Sequence, residues 1–253
     1  MNAPVTPTSP NRSKVEDITA ILRDEILRGQ YRPGERLPSE RDLASRFETS
    51  RGGIREALKK LEQLGIATIT PGGVRVVPIE EASLSVLGPL VDLQEVPDAA
   101  MIGHLLEVLG ALVSMAARTA MERATAAELQ QMQDIVKHLE NHAEDSEQQQ
   151  LGWRELGTLF AQVSDNLVLR LILNGLKTHF INRLEARPEL EVEVDYVRQK
   201  DTLNKLSMGL ASRDSRCVAT TINEHFDEIN ARIQHALNSN PPSSNPHASF
   251  THE

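Results

Sequence analysis

Residues 37–60, LPSERDLASRFETSRGGIREALKK, decide the fold of the first part of this chain. They predict two short helices joined by a tight turn. In the second helix Arg51, Arg55 and Lys59 recur every fourth residue and so share one face. The opposite face is apolar and predicted to be buried, with Ile54, Ala57, Leu58 and Leu61. A helix with a buried back and a cationic front fits a DNA major groove, although a helical hairpin with solvated arginines gives the same pattern.

The ends of both helices are marked by capping residues. Ser39 follows a proline, and Ser50 precedes the cationic helix, so each is expected to be an N-cap. Ser50 leaves Arg51 in the first helical turn, where helix-turn-helix proteins contact base edges. Gly52 and Gly53 weaken that turn by about 1 kcal/mol each relative to alanine. Such a cost is tolerated where backbone must approach a phosphate closely.

The flanking residues extend this pair of helices into a larger unit. An apolar stripe predicts a helix from about Lys14 to Arg28. Downstream, the β-prone runs 67–70 and 74–77 surround a Pro-Gly-Gly tip and predict a hairpin. Three helices followed by a hairpin form a winged helix-turn-helix.

Three segments of this unit resemble the DNA-binding domain of GntR-family bacterial transcription regulators. They are residues 31–44, 50–58 and 61–66, and the similarity covers about residues 12–78. The resemblance implies that double-stranded operator DNA is the partner, and that the matching arginines contact its bases and phosphates. The candidate DNA-contact residues are Arg41, Ser50, Arg51, Gly52, Gly53, Arg55, Lys59, Gly72 and Gly73.

The charge distribution agrees with a local nucleic-acid surface. The chain of 253 residues is acidic, with a formal net charge of −9. Residues 1–78 nevertheless hold 13 Lys and Arg against 10 Asp and Glu, whereas the remainder holds 14 against 26. DNA contacts are therefore expected to be confined to the winged unit.

Composition predicts a soluble cytoplasmic protein with two domains. The sequence lacks a long apolar run and a basic, apolar N-terminus, so we expect neither a membrane span nor a secretory signal. A single cysteine, Cys217, suits a reducing compartment. Residues 1–11 and 238–253 are rich in Pro, Ser and Asn and are expected to be disordered. Residues 79–97 are expected to form a linker.

The second domain, residues 98–237, is predicted to be an antiparallel helical bundle, which makes the whole chain mainly α. Helical periodicity runs throughout it, and no alternating β pattern of six residues appears. The predicted helices are Asp98–Glu122, Ala126–Ala143, Gln150–Val163, Leu167–Ala186, Leu190–Ser212 and Ser215–Leu237.

An all-helical second domain resembles the FadR-type subfamily of GntR regulators, and particularly the fatty-acid-responsive FadR regulators. Many FadR-type domains bind a divalent metal through an aspartate and three histidines. The matching positions here hold Gly157, Ala161, Leu203 and His225, so one ligand of four remains. We therefore expect no metal and no other cofactor.

The resemblance also implies an effector site in the bundle. A fatty acyl compound is the first expectation and a small carboxylate the second. The fatty-acid-responsive regulators contact acyl-CoA through an arginine, a serine and a tryptophan, but the matching positions here hold Leu109, Phe226 and Asn230, so the resemblance does not establish acyl-CoA as the ligand. An aliphatic interior fits an apolar ligand or a plain packed core equally. The polar candidates for contacting an effector are Arg118, Asn166, Asn174, His179 and His225. His225 is equally consistent with an ordinary hydrogen-bonded bundle histidine.

No known catalytic motif is present, so we expect the protein not to be an enzyme. The sequence instead predicts a homodimeric transcription regulator that responds to a small-molecule effector, since two winged domains read two half-sites. A ligand-free architectural DNA-binding protein is the alternative.

Overall fold

The computed structural model describes residues 13–93, 98–184 and 195–239 and forms two compact units, Met1–Glu95 and Val96–Glu253. The sequence predicts residues 1–11 and 238–253 to be disordered. Residues 1–11 and 240–253 lie outside the described residues, whereas 238 and 239 belong to the last helix, so the predicted tail began two residues too early. The predicted fold class is confirmed, because both units are mainly helical and the first contains a small hairpin.

The first unit is the predicted winged helix-turn-helix. Its elements are α1 Lys14–Leu27, α2 Glu40–Arg46, α3 Arg51–Gln63, β1 Ala67–Thr70 and β2 Gly73–Val76. Apolar side chains from all five meet in one core, which buries a stripe from each helix and one face of the hairpin. At the centre of this core, Leu22, Leu43 and Ile54 are fully buried.

The hairpin is antiparallel, with Ala67 opposite Val76 and Thr70 opposite Gly73. The segment before α2 extends this sheet. The Leu37 N–H donates to the Val74 carbonyl at 2.9 Å, and Arg36 pairs with Arg75 in a β-bridge. The wing is thereby tied to the chain that leads into α2.

The interval expected as a linker is partly structured. Residues 79–86 form two 3-10 turns, Ile79–Glu81 and Leu84–Val86, and α4 spans Leu87–Asp92. Val86 is buried in the winged core and Leu90 packs against it. The first unit therefore continues past residue 78, because apolar residues of this interval cover its core.

The second unit contains the remaining helices. They are α5 Ala99–Arg123, α6 Ala126–Asn141, α7 Ser146–Val163, α8 Leu167–Leu176, α9 Asn182–Leu184, α10 Tyr196–Ser212 and α11 Ser215–Ser239, with a π-helical turn Lys177–Ile181 before α9.

Most predicted helix ends lie within two residues of those observed, and three predicted helices differ more. α7 begins four residues early because Asp145 caps it, accepting from the Gln148 N–H at 3.0 Å. Of the predicted helix 190–212, residues 190–194 lie outside the described residues. The described helix α10 begins at residue 196, after Asp195, which has an extended backbone and a side chain that accepts from two N–H groups. The predicted helix 167–186 is interrupted by the π turn.

α5 is the central helix of the second unit and packs against α7 and α11. Glycines on α5 let α11 approach closely, since a Cβ at Gly110 would lie 2.8 Å from Cβ of Phe226. By length and composition alone, α5 is apolar enough to cross a membrane, a test that the core helix of a soluble protein also passes. Its apolar character matches its position in the core, where ten of its residues are buried.

Candidate nucleic-acid interface

The exposed face of α3 carries the predicted cations. Arg51, Arg55 and Lys59 are exposed, while the four predicted apolar residues are at most 1% exposed on the opposite side. Ser50 is the observed N-cap and accepts from the Gly53 N–H at 3.2 Å. The helix therefore begins as predicted and presents its first turn to solvent.

The first turn of α3 is narrow because two of its residues lack side chains. A Cβ at Gly53 would lie 3.3 Å from Oγ1 of Thr49, whereas one at Gly52 would meet nothing closer than 3.7 Å. Gly53 is thus favoured by local packing, and Gly52 leaves open space beside Arg51. That space allows the backbone of this turn to approach a phosphate.

Arg55 is not a free cation. Its Nε donates to Oε1 of Glu40 at 3.0 Å and its Nη2 donates to Oε2 at 2.8 Å. These hydrogen bonds hold the pKa of the Glu40 carboxyl below its usual value, and the nearby positive charges of Arg55 and Arg51 add to the effect. The pair joins the start of α2 to the middle of α3.

The other predicted cations differ in how they are held. Arg51 makes no hydrogen bond or ion pair with another residue in the described part of the chain. Lys59 lies 3.0 Å from Glu56 on its own helix, and Arg41 lies 3.6 Å from Asp42 with 79% of its side chain exposed. Arg51 is thus the cation of α3 most available to a ligand.

The tip of the wing contains Gly72 and Gly73 as predicted, together with a cation that the sequence analysis missed. Gly73 has a φ of +113°, and a Cβ there would lie 2.7 Å from Nη2 of Arg36. The Arg36 side chain therefore crosses the hairpin at its glycine tip. Arg75 donates to the Gly34 carbonyl at 2.8 Å. The extended run before Ser39 was the available signal for placing Arg36 beside the wing.

The five predicted effector residues are not gathered in one place. Asn166 caps α8 through the Leu169 N–H at 3.1 Å, whereas Asn174 is exposed eight residues further along the same helix. His179 lies in the π turn, and Arg118 is exposed on α5. Only His225, on α11, has its ring packed among aromatic side chains.

His225 stacks on Trp153 with ring centroids 3.7 Å apart and contacts Phe226 edge-on. Burial lowers the pKa of His225 to about 3, and the positive charge of Arg232 adds to the shift. The imidazole is therefore neutral at physiological pH, and it links α11 to α7 through its stack on Trp153.

A half-open cleft of about 550 Å³ runs along α5 and α11. It contains Arg118 and a second arginine that the sequence analysis missed, Arg216. Neither guanidinium makes an ion pair with another described residue, so both are available to an anion, although Glu122 and Glu224 also line the cleft. The lining residues are Ser114, Arg118, Glu122, Ser215, Arg216, Ala219, Thr220, Asn223 and Glu224.

The residues at the family's metal positions do not fit a metal ion. Leu203 is 1% exposed in the core, and neither Gly157 nor Ala161 carries a ligating side-chain atom. Within the described residues, no three His, Cys, Asp or Glu side chains come close enough to share an ion.

The winged unit and its cationic helix define a DNA-binding protein, and comparison with known proteins gives the family. Residues 14–77 match the model of bacterial regulatory proteins of the gntR family, and residues 104–228 match the FCD domain. The chain belongs to the GntR family. It is a DNA-binding transcription regulator with an FCD effector-binding domain, and not an enzyme.

Relatives and solved structures agree with this assignment. The regulator Rv0494 of Mycobacterium tuberculosis is 36% identical over 40% of this chain and 46% of its own length. Mce2R of the same species is 30% identical over 69% of this chain and 73% of its own. The structure of Lar from Listeria monocytogenes has a TM-score of 0.53 at 16% identity, covers 90% of this chain and 99% of its own, and supports the fold alone.

Proposed function

We propose that α3 reads operator base edges in the major groove through Arg51 and Arg55, while Arg36 and the glycine tip contact the neighbouring backbone or minor groove. The exposed cationic face of α3, backed by a fully buried apolar face, carries this proposal. The N-terminal turn of a recognition helix is where base contacts are usually made. Ser50, Gly52 and Gly53 give that turn the small profile that close approach requires.

Selection of random duplexes by the purified protein tests whether recognition is sequence-specific. We expect enrichment of one two-fold symmetric sequence whose half-sites lie about one helical turn apart. A pool that binds without enrichment would instead favour the architectural alternative.

We also propose that the cleft between α5 and α11 binds the carboxylate or phosphate group of an organic anion. Arg118 and Arg216 supply two guanidinium groups, and the cleft volume lies within the usual range of ligand sites. Ser215 adds a hydroxyl at the start of α11, whose first N–H groups are already capped by Asp214. A fatty acyl compound and a small carboxylate both carry the required charge.

Titration of the protein–operator complex with an acyl-CoA, a free fatty acid and small organic acids separates these ligands. We expect one class of ligand to change the free energy of operator binding by a coupling of about 1–3 kcal/mol. Arg118→Ala should abolish the effect, and Arg123→Ala should keep it, because Arg123 is an exposed arginine of α5 that pairs with Asp165. An effect equal in both variants would place the effector elsewhere in the domain.

The protein is proposed to act as a homodimer in the cytoplasm, with α8 contributing to the subunit interface. Four apolar side chains form one exposed face of this helix, whereas Leu169 and Leu176 are buried on the other. The exposed residues are Leu167, Val168, Leu171 and Ile172, and three of these side chains are more than 60% exposed. A contiguous apolar patch marks an interaction surface, and a second copy would supply the second winged unit that a two-fold operator needs.

A further inference from the structure

The candidate DNA-binding face contains a carboxylate where phosphates would repel one. Glu40 is the first residue of α2 and lies against Arg55. An acid in the first turn of a helix interacts favourably with the helix dipole. Asp42 already provides such an acid and bonds to the N-cap Ser39. The contact with Arg55 therefore needs a separate explanation.

The geometry of the pair leaves one edge of the guanidinium available. Glu40 accepts from Nε at 3.0 Å and from Nη2 at 2.8 Å, which occupies the side edge of Arg55. Nη1 makes no hydrogen bond within the described residues, and Nη2 has a second N–H. Two adjacent donors of this kind bind O6 and N7 of guanine together.

We infer that Glu40 is a positioning residue that holds Arg55 so that its Nη1 and Nη2 atoms read a guanine of the operator. The inference rests on the proposed role of α3. A long arginine side chain loses rotamer freedom when it binds, and an intramolecular carboxylate removes part of that loss in advance. The carboxylate also weakens attraction to phosphates, so it favours the correct sequence over DNA in general.

The test compares Glu40→Gln with Asp42→Asn. Both variants remove one negative charge from the same turn of α2, but only the first changes the group that holds Arg55. Fluorescence anisotropy gives the dissociation constants for the selected operator, for the same operator with the guanine replaced, and for a non-specific duplex. Arg55→Ala, combined with single-base replacements, first identifies the base pair concerned.

Discrimination at that base pair is the ratio of the dissociation constants for the altered and the selected operator. Glu40→Gln is expected to lower this ratio by about tenfold. Its affinity for the non-specific duplex should rise and depend more steeply on salt. Asp42→Asn should raise affinity for all three duplexes together and leave their ratios unchanged. In an Arg55→Ala background, Glu40→Gln should no longer change discrimination, because the residue it positions is absent.

Unchanged discrimination in Glu40→Gln, with discrimination lost in Arg55→Ala, would overturn the positioning role and leave the proposed function intact. If Arg55→Ala weakened all duplexes equally, Arg55 would contact a phosphate, and the guanine assignment would be wrong. Failure of the unmodified protein to prefer any operator would instead contradict the proposed function itself. Circular dichroism of each variant verifies that α2 and α3 still fold.

Discussion

At the scale of single residues, His225 shows how the FCD domain of this chain differs from a metal site. Its ring stacks on Trp153 and is held neutral, with the pKa lowered to about 3 by burial and by Arg232. A neutral imidazole that stacks on an aromatic ring needs no metal ion as its partner.

The lowered pKa predicts a pH dependence of stability. The unfolded chain binds a proton near pH 6.5 and the folded chain only near pH 3, so the free energy of unfolding falls as pH drops through this window. Between pH 7.5 and 5.5 the loss from this group should reach up to about 1.4 kcal/mol.

Urea unfolding of the wild type, His225→Gln and His104→Gln at both pH values measures this loss. The pH dependence should be smaller in His225→Gln only, because His104 is exposed on α5. An unchanged pH dependence in His225→Gln would show that the ring titrates normally in the folded protein.

At the scale of secondary-structure elements, the sequence predicts those features that depend on neighbouring residues. Ser39 and Ser50 cap α2 and α3 as predicted, and Thr125 caps α6 in the same way. The extended conformation at Asp195 was missed, because the apolar periodicity continued through it. The π turn was missed because it leaves no distinct mark in an apolar segment.

The candidate site also divides into features that neighbouring residues predict and features that only the tertiary structure shows. The cationic face of α3 depends on a spacing of four residues, so the sequence alone predicts it. The partner of Arg55 lies 15 residues away on another helix, and only the tertiary packing brings Glu40 to it. Arg216 and Arg118 likewise line one cleft, although their two helices are far apart in the chain.

Close packing of α5 against α11 predicts unequal effects of two glycine substitutions. Gly110→Ala should lower the free energy of unfolding by about 1–3 kcal/mol, since the new Cβ overlaps Phe226. Gly157→Ala in α7 should raise it by about 0.5–1 kcal/mol, because the nearest side-chain atom would be 3.9 Å away. Chemical denaturation measures both, and equal effects would contradict the close approach at Gly110.

At the scale of the whole molecule, binding to a two-fold operator requires two winged units in one assembly. The exposed apolar face of α8 predicts that the protein sediments at twice its chain mass of 28.0 kDa. Val168→Glu should shift it towards the monomer, because a charge would be buried in the interface. Val197→Glu is the matched control, since Val197 is exposed on α10, which packs on α6 and α11 instead.

Sedimentation velocity of the full chain and both variants decides the point. A wild-type monomer at tens of micromolar, or equal dissociation of both variants, would contradict an interface through α8.

Recognition of operator DNA by α3 is tested by the operator affinity of Arg51→Ala. Fluorescence anisotropy on the selected operator should show a loss of about 1–3 kcal/mol in specific binding for Arg51→Ala, and a similar loss for Arg55→Ala. Lys137→Ala, which removes an exposed cation from α6, should bind as the wild type does. Wild-type operator affinity in both arginine variants would contradict the assignment of α3 as the recognition helix.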